Sequence, residues 1–180
     1  MLVGPEARTR YLRQARDWRW PRRVEAEGVF VAHSDRWGEV SGWIRLFLAD
    51  TALGVVLEGP LGIPLGQVTV PLAQGMPALP ETLPWGIFWR WVQDPLRYPA
   101  DTVRFGTSGT RWVLSTPAGV LRVDELDSRP PRLYISLRRR YRIMLEDIRP
   151  VQRHLWPFRV RYQGPEGTLE ITWRRVTIPE

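Results

Sequence analysis

The 180-residue chain is long enough for one domain or two small ones, and its 43% hydrophobic and 25% charged content is typical of a folded globular protein. It contains no Cys, which excludes disulfides, thiolate nucleophiles and thiolate metal sites. It also lacks Lys and Asn, a composition that we interpret as that of a GC-rich bacterium. Because the N-terminal residues show no apolar export signal, we expect a cytoplasmic location.

Positive charge is concentrated in two islands. Residues 8–23 contain seven Arg and one Asp (7 − 1 = +6), and residues 130–161 contain nine Arg and two acidic residues (9 − 2 = +7). The segment between them is mildly acidic. This asymmetry predicts an anionic partner, and the alternative is a solvated Arg-rich surface that reflects codon bias.

The N-terminal segment, residues 5–20, predicts a helix. Ala7, Tyr11, Ala15 and Trp18 recur at helical spacing, and Pro21 ends the pattern. We interpret this helix as packing its aromatic stripe on a β body. The alternative is a basic helix that lies on a membrane surface.

Most of the remaining chain consists of short apolar segments separated by Gly and Pro turns, which predicts a mainly β protein. The predicted strands are 24–33, 43–49, 53–58, 67–72, 102–105, 110–115, 118–123, 132–137, 140–145, 158–163 and 168–176. Residues 59–80 are uncharged and long enough to cross a membrane, but their repeated Pro and Gly exclude a spanning helix.

Two segments are ambiguous. Residues 85–92, WGIFWRWV, fit either a strand or a helix, and we expect their rings to pack in the core or in a seam between β units. The alternative is that these Trp side chains are exposed and stack on bases or insert into lipid. Residues 131–149 show both a helical stripe and strand alternation, and we predict two strands there.

Catalytic and metal-binding patterns are missing from the sequence. The two His residues have no carboxylate at ligand spacing, and we interpret the acidic stretch VDELDS as a solvated loop. We therefore predict a protein that is not an enzyme and carries no cofactor and no metal.

The most specific candidate site is a cluster of Arg residues interleaved with Tyr. Arg138, Arg139, Arg140 and Arg142 lie within five positions, and guanidinium groups bind phosphate bidentately. The cluster predicts an anion-binding site. In the alternative interpretation, Glu146 and Asp147 neutralise it.

Two stretches of the chain are weakly repeated. RLFL at 45–48 recurs as RLYI at 132–135, and LGIPLGQV at 61–68 recurs as YRIMLEDI at 141–148. The first copy, with its Ile63-Pro64-Leu65 step, resembles the GRAM and bacterial pleckstrin-homology-like domains. That resemblance implies β barrels or sandwiches, each capped by a helix, that bind lipid headgroups or proteins.

Together these features predict a mainly β fold of two pleckstrin-homology-like halves with an N-terminal helix. The predicted units are the basic helix 1–23, a first β unit 24–99 and a second β unit 100–180. The predicted function is a non-enzymatic binding module for an anionic lipid headgroup or a protein partner, in the cytoplasm or peripherally on a membrane. The alternative is a nucleic-acid-binding protein that uses both Arg-rich islands and exposed Trp.

Overall fold

The computed structural model of the chain describes residues 1–16, 18, 20–49, 51–73, 76–77, 84–98, 100–127 and 132–179. Side chains 72, 73, 76, 77, 84, 85, 89 and 93 lie outside that description. Of the predictions above, the span 59–80 and the Trp-rich segment 85–92 fall partly on these omitted positions.

Thirteen strands and two helices make up the described chain. The helices are α1 (Gly4–Ala15) and α2 (Pro84–Gln93), and a short 3₁₀ turn spans Pro60–Gly62. The strands are β1 (Leu2–Val3), β2 (Val24–Ser34), β3 (Gly38–Leu48), β4 (Ala52–Glu58), β5 (Pro64–Ala73), β6 (Met76–Pro77), β7 (Ala100–Gly106), β8 (Gly109–Thr116), β9 (Gly119–Leu126), β10 (Arg132–Leu137), β11 (Tyr141–Val151), β12 (His154–Gly164) and β13 (Gly167–Thr177).

All of these strands join one antiparallel arrangement in the order β1-β7-β8-β9-β10-β11-β12-β13-β2-β3-β4-β5-β6. Most neighbours are consecutive in the chain and are joined by short hairpins. The exceptions are β1 beside β7 and the long pairing of β13 with β2, where Thr168 faces His33 and Thr177 faces Glu25. Strand β13 of the C-terminal hairpin therefore pairs directly with β2, and the sheet continues from one half of the chain into the other.

The register separates the side chains of the sheet into an apolar face and a charged face. We call the apolar face the inner face. One row across it contains Trp173 of β13, Gly28 of β2, Ile44 of β3 and Leu57 of β4, each beside the next. On the other face, the outer face, Arg175 is opposite Glu27 and forms an ion pair with it. Alternation with a period of two therefore places apolar residues inside and ion pairs outside, as expected for a half-buried sheet.

The two helices cover the inner face on the side of β7 to β12. Helix α1 buries Ala7, Tyr11 and Ala15, and α2 buries Ile87 and Trp91. These side chains share one core cluster with residues of β7 to β12, among them Val103, Trp112, Leu114, Val123 and Ile135. Burial of this many large apolar side chains is the main contribution to folding, at about 1.5–3 kcal/mol for each fully buried residue.

The prediction of a mainly β fold with an N-terminal helix is confirmed. The helix is shorter than predicted, because α1 ends at Ala15, and Trp18 is buried beyond its end. The segment 131–149 forms strands β10 and β11, as predicted, and the ambiguous segment 85–92 is helical. The described rings of Phe88 and Trp91 pack in the core.

The predicted boundary at residue 100 falls between α2 and β7, but the sheet continues across the two units through the β13–β2 pairing. The division of the chain into three units stays a prediction. None of the described helices is long and apolar enough to span a membrane.

Candidate apolar binding site

The inner face remains apolar beyond the helix-covered core. Following the register from β13 through β5, every described side chain on this face between Val24 and Val70 is uncharged. The set comprises Val24, Ala26, Phe30, Ala32, Val40, Ile44, Leu46, Leu48, Leu53, Val55, Leu57, Val68 and Val70, with Leu169, Ile171, Trp173 and Val176 from β13. We call this surface, together with Trp156 and Phe158 of β12, the apolar groove.

Residues of the strands, together with Ile178 just after β13, form the two core clusters of the groove. One cluster centres on Ala26, Phe30, Ile44 and Trp173, and the other on Val24, Leu48 and Ile178. Toward β5 the groove becomes progressively more exposed: Val55 and Leu57 are half-buried, and Val68 is 60% exposed. Large apolar side chains that remain accessible on an inner face are more typical of a surface that binds a ligand than of a closed protein core.

The groove is wide enough for a hydrocarbon chain. It extends over six strands from β12 to β5, and with strands about 4.8 Å apart its width along the sheet is about 24 Å. Glycines form part of its floor. A Cβ at Gly28 would lie 2.3 Å from the carbonyl oxygen of Thr172, and one at Gly42 would lie 2.0 Å from that of Glu58. Close backbone approach therefore excludes larger side chains at both positions.

Two indole groups inside the groove lack hydrogen-bond acceptors. The rings of Trp156 and Trp173 are 6.2 Å apart between centroids and tilted by 58°. Both Nε1 atoms are buried, and neither N–H finds an acceptor among the described residues. Leaving a buried donor unpaired costs about 1–3 kcal/mol, so two such donors side by side need an explanation.

The outer face, by contrast, is neutralised by cross-strand ion pairs. Arg161 donates two hydrogen bonds of 2.8 Å each to Glu146, which is only 9% exposed, and Arg159 donates to Glu170 at 2.7 Å. Within β11, Arg149 pairs with Asp147, and this hydrogen bond holds the pKa of the Asp147 carboxyl below its ordinary value. The charges of Arg149, Arg159 and Arg161 are therefore compensated by carboxylates of the sheet.

The structure separates the predicted Arg cluster from the groove. Arg138, Arg139 and Arg140 form the exposed turn between β10 and β11, and Arg142 points outward from β11. The Nε of Arg138 donates to the carbonyl oxygen of Ala118 in the neighbouring turn. Glu146 and Asp147 do not neutralise this cluster, because they pair with Arg161 and Arg149. Its assignment as an anion site stays a prediction.

At the same end of the sheet, the hairpin between β4 and β5 exposes apolar side chains. Leu61 is fully exposed and Ile63 is 58% exposed. Leu61 has φ +61° and ψ +21°, a left-handed conformation that is unfavourable for a residue with a branched side chain. In the hairpin between β2 and β3, Trp37 is 72% exposed and stacks on the guanidinium of Arg36 at 4.8 Å.

The groove is not visible in the sequence of any one strand. The alternation of Ile44, Leu46 and Leu48 was visible, but only the register shows that these residues continue the apolar rows of β13 and β4. The Trp pair was equally hidden, since Trp156 and Trp173 are 17 positions apart in sequence.

No protein-family model and no curated protein matches the sequence. Several solved structures match its fold, and three of them align along nearly the whole chain. A LolA superfamily protein from Nitrosomonas europaea aligns with a TM-score of 0.56 at 7% identity, covering 100% of this chain and 95% of its own. A DUF1329 family protein from Desulfovibrio piger aligns with a TM-score of 0.58 at 7% identity, covering 98% and 94%. A proposed outer membrane lipoprotein-sorting protein domain from Vibrio parahaemolyticus aligns with a TM-score of 0.55 at 9% identity, covering 96% and 92%.

The chain therefore has a LolA-like fold, an open antiparallel sheet, and the resemblance to GRAM and pleckstrin-homology-like domains is wrong. The Ile63-Pro64-Leu65 step that suggested it lies in a hairpin and the first residues of β5, near the edge of one continuous sheet.

The predicted function and its alternative are corrected as well. Recognition of an anionic headgroup or a protein partner by a pleckstrin-homology-like module is not supported by the fold, and neither is nucleic-acid binding. The expected cytoplasmic location is also wrong, because a protein with this fold is named as an outer membrane lipoprotein-sorting domain.

Proposed function

We propose that this protein is a non-enzymatic carrier that binds the hydrocarbon part of a lipid in the apolar groove. The observation that carries the proposal is the continuation of the inner face from β13 to β5 as an uncharged and increasingly exposed surface. The likeness to a lipoprotein-sorting domain supports the proposal, as does the likeness to a LolA superfamily protein, and favours a location in the bacterial cell envelope.

The dimensions and chemistry of the groove suit an acyl chain. The hydrocarbon core of a bilayer is about 30 Å thick, so one chain extends about 15 Å, which the width of the groove accommodates. Each buried methylene contributes about 0.8 kcal/mol, so ten of them contribute about 8 kcal/mol before the costs of ordering the ligand. Hydrocarbon requires no hydrogen bonds, and the side chains that line the groove are almost entirely apolar.

A pair of adjacent substitutions on β5 tests the proposal. Val68 lies on the inner face opposite Val55, whereas Gln67 lies on the outer face opposite Val56, and both are exposed. Val68→Glu places a charge in the groove, while Gln67→Glu adds the same charge on the other side of the same strand. Because neither substitution removes buried core, both variants are expected to fold.

The probe is a long-chain phosphatidylcholine with a fluorophore at the end of one chain. We expect saturable binding by the wild type and by Gln67→Glu, and at least about tenfold weaker binding by Val68→Glu, because a charge that is desolvated by hydrocarbon costs more than 1.4 kcal/mol. Absence of saturable binding by the wild type, or equal losses in both variants, would contradict the proposal.

The exposed hairpins favour a second candidate function, contact with the hydrocarbon of a bilayer during loading or release. Leu61 and Ile63 extend from a hairpin that carries no charged residue between Gly59 and Ala73. Trp37, a residue type that suits the interface between water and membrane, lies at the same end of the sheet. The left-handed backbone at Leu61 has a cost that a role for this exposed side chain would explain.

A further inference from the structure

The groove contains a polar feature that hydrocarbon binding does not require. Trp173 is 5% exposed and packs with Phe30 and Ile44, and Trp156 lies beside it on β12. Their indole N–H groups are two donors beside a cluster of apolar side chains, and the charged group that contacts the groove nearby, the Arg149 guanidinium, stacks on Phe158. A ligand that bound there would satisfy them only with a hydrogen-bond acceptor.

Buried indole groups in the described chain differ in whether their N–H has an acceptor. In the helix-covered core, Trp91 donates its N–H to the phenol oxygen of Tyr11 at 2.9 Å. Trp20 and Trp112 do have unpaired N–H groups, but both residues pack in that helix-covered core. Trp156 and Trp173 are distinguished by being adjacent to each other and by lying in the part of the sheet that also leads to the exposed side chains of β4 and β5.

The chemistry of the pair selects a neutral acceptor. An ester carbonyl accepts hydrogen bonds and carries no charge, so it can be desolvated in apolar surroundings at a modest cost. A free carboxylate would need a cation beside it. The guanidinium of Arg149 stacks on the groove residue Phe158, 4.5 Å from the ring centroid, but it is already paired with Asp147.

We propose that Trp156 and Trp173 donate hydrogen bonds to an ester carbonyl of the bound lipid, so that the groove selects acyl esters over ether-linked or purely hydrocarbon ligands. The inference rests on the proposed function and adds to it the class of linkage that is recognised. It also fixes the position of the ligand, with the ester at β12 and β13 and the chain extending toward β5. On binding, the side chains that cover the two N–H groups separate to admit the carbonyl.

Two lipids with the same chain length test this inference, a diacylglycerol and the corresponding dialkylglycerol ether, which differ only in the ester carbonyls. For the wild type, we expect the ester to displace the fluorescent phosphatidylcholine about three- to tenfold more effectively than the ether, the range expected for one or two net hydrogen bonds. In Trp156→Phe/Trp173→Phe, which keeps a smaller aromatic ring at each position but removes both donors, the two lipids should compete equally. The control Trp112→Phe removes an unpaired N–H outside the groove and should keep the preference.

A spectroscopic experiment on the wild type gives a second readout that does not depend on the folding of the double variant. The single variants Trp156→Phe and Trp173→Phe assign the two indole N–H signals in a ¹⁵N-labelled sample. Both signals should move downfield when the diacylglycerol is added and stay nearly unchanged with the ether.

The outcomes distinguish this inference from the proposed function. Equal binding of ester and ether by the wild type, with unmoved indole signals, overturns the ester inference while the lipid-binding groove stands. A wild type that binds neither lipid overturns the proposed function itself. If the double variant still prefers the ester over the ether, other groups recognise the ester, and the role of the Trp pair is overturned.

Discussion

The indole N–H of Trp91 donates to the phenol oxygen of Tyr11 at 2.9 Å, and the Tyr11 hydroxyl in turn donates to the carbonyl oxygen of Pro95 at 2.6 Å. This chain of hydrogen bonds joins α1 to α2 and to the turn that follows it. The ring of Tyr11 also packs edge-on against Trp112 at 5.5 Å between centroids. The helices therefore act as one unit that closes the core on one side of the sheet and ends where the apolar groove begins.

Tyr11→Phe should destabilise the protein by about 2 kcal/mol, because it leaves the buried N–H of Trp91 without its acceptor. Urea denaturation followed by circular dichroism measures the free energy of unfolding. Tyr134→Phe on the outer face is the matched control, and we expect a change within about 0.5 kcal/mol there. A Tyr11→Phe variant as stable as the control would show that the phenol contributes nothing beyond its ring.

Alkaline pH should destabilise the protein through its buried tyrosines. Burial raises the pKa of Tyr11, and burial with the hydrogen bond to Glu166 raises the pKa of Tyr162. The pKa of each phenol is higher in the folded protein than its unfolded value of about 10. The neutral phenols therefore contribute fully to the free energy of unfolding below that pH, and this contribution is lost as the pH rises above it.

The composition makes this dependence easy to measure, since the chain has neither Lys nor Cys to titrate in the same range. The free energy of unfolding of the wild type should fall steadily between about pH 9.5 and about pH 11. Tyr11→Phe should show a shallower decline than the wild type over the same interval. Identical slopes would mean that Tyr11 ionises as easily in the folded protein as in the unfolded chain.

Local sequence pattern predicted most strands because alternation and turn residues are local properties. It was least informative between β10 and β11, where no Gly or Asn announces a hairpin. The structure shows the reason: Arg138 and Arg139 both adopt positive φ, of 51° and 58°, and the N–H of Arg140 bonds to the carbonyl of Leu137. Both central residues of the turn therefore have the left-handed backbone that a type I′ hairpin needs, which Arg supplies at a cost.

The candidate site could not be predicted in the same way because it depends on which strands are neighbours. The pairing of β13 with β2 brings Trp173 opposite Gly28, and no periodicity within either segment contains that information. The ion pairs of the outer face depend on the same information. Glu146 and Arg161 are 15 positions apart, and their contact becomes visible only with the register of β11 and β12.

Glu146→Gln tests how much the outer-face ion pairs contribute. Glu146 is largely buried and accepts two hydrogen bonds from Arg161, so the substitution should cost about 1–3 kcal/mol of folding free energy by leaving the guanidinium poorly compensated. Glu170→Gln breaks the more exposed pair with Arg159 and should cost less than about 1 kcal/mol. Equal effects in urea denaturation would show that burial of Glu146 does not strengthen its pair.

The hairpin between β4 and β5 provides the last prediction, which concerns membrane contact. If Leu61 and Ile63 insert into hydrocarbon, the wild type should cosediment with neutral phosphatidylcholine vesicles, and Leu61→Asp/Ile63→Asp should not. Burying two such side chains contributes about 3–6 kcal/mol, which predicts weak and reversible binding. Because the driving force is apolar, raising the salt concentration should leave the bound fraction nearly unchanged.

Arg139→Asp/Arg140→Asp is the matched control for the hairpin variant, because it introduces two Asp residues in an exposed turn at the same end of the sheet. It should bind neutral vesicles like the wild type. Since Leu61 and Ile63 lie outside the apolar groove, the hairpin variant should also keep the wild-type affinity for the fluorescent lipid in solution while losing transfer of that lipid from vesicles. Unchanged vesicle binding by the hairpin variant would show that these side chains do not contact the bilayer, and the groove would then have to load without them.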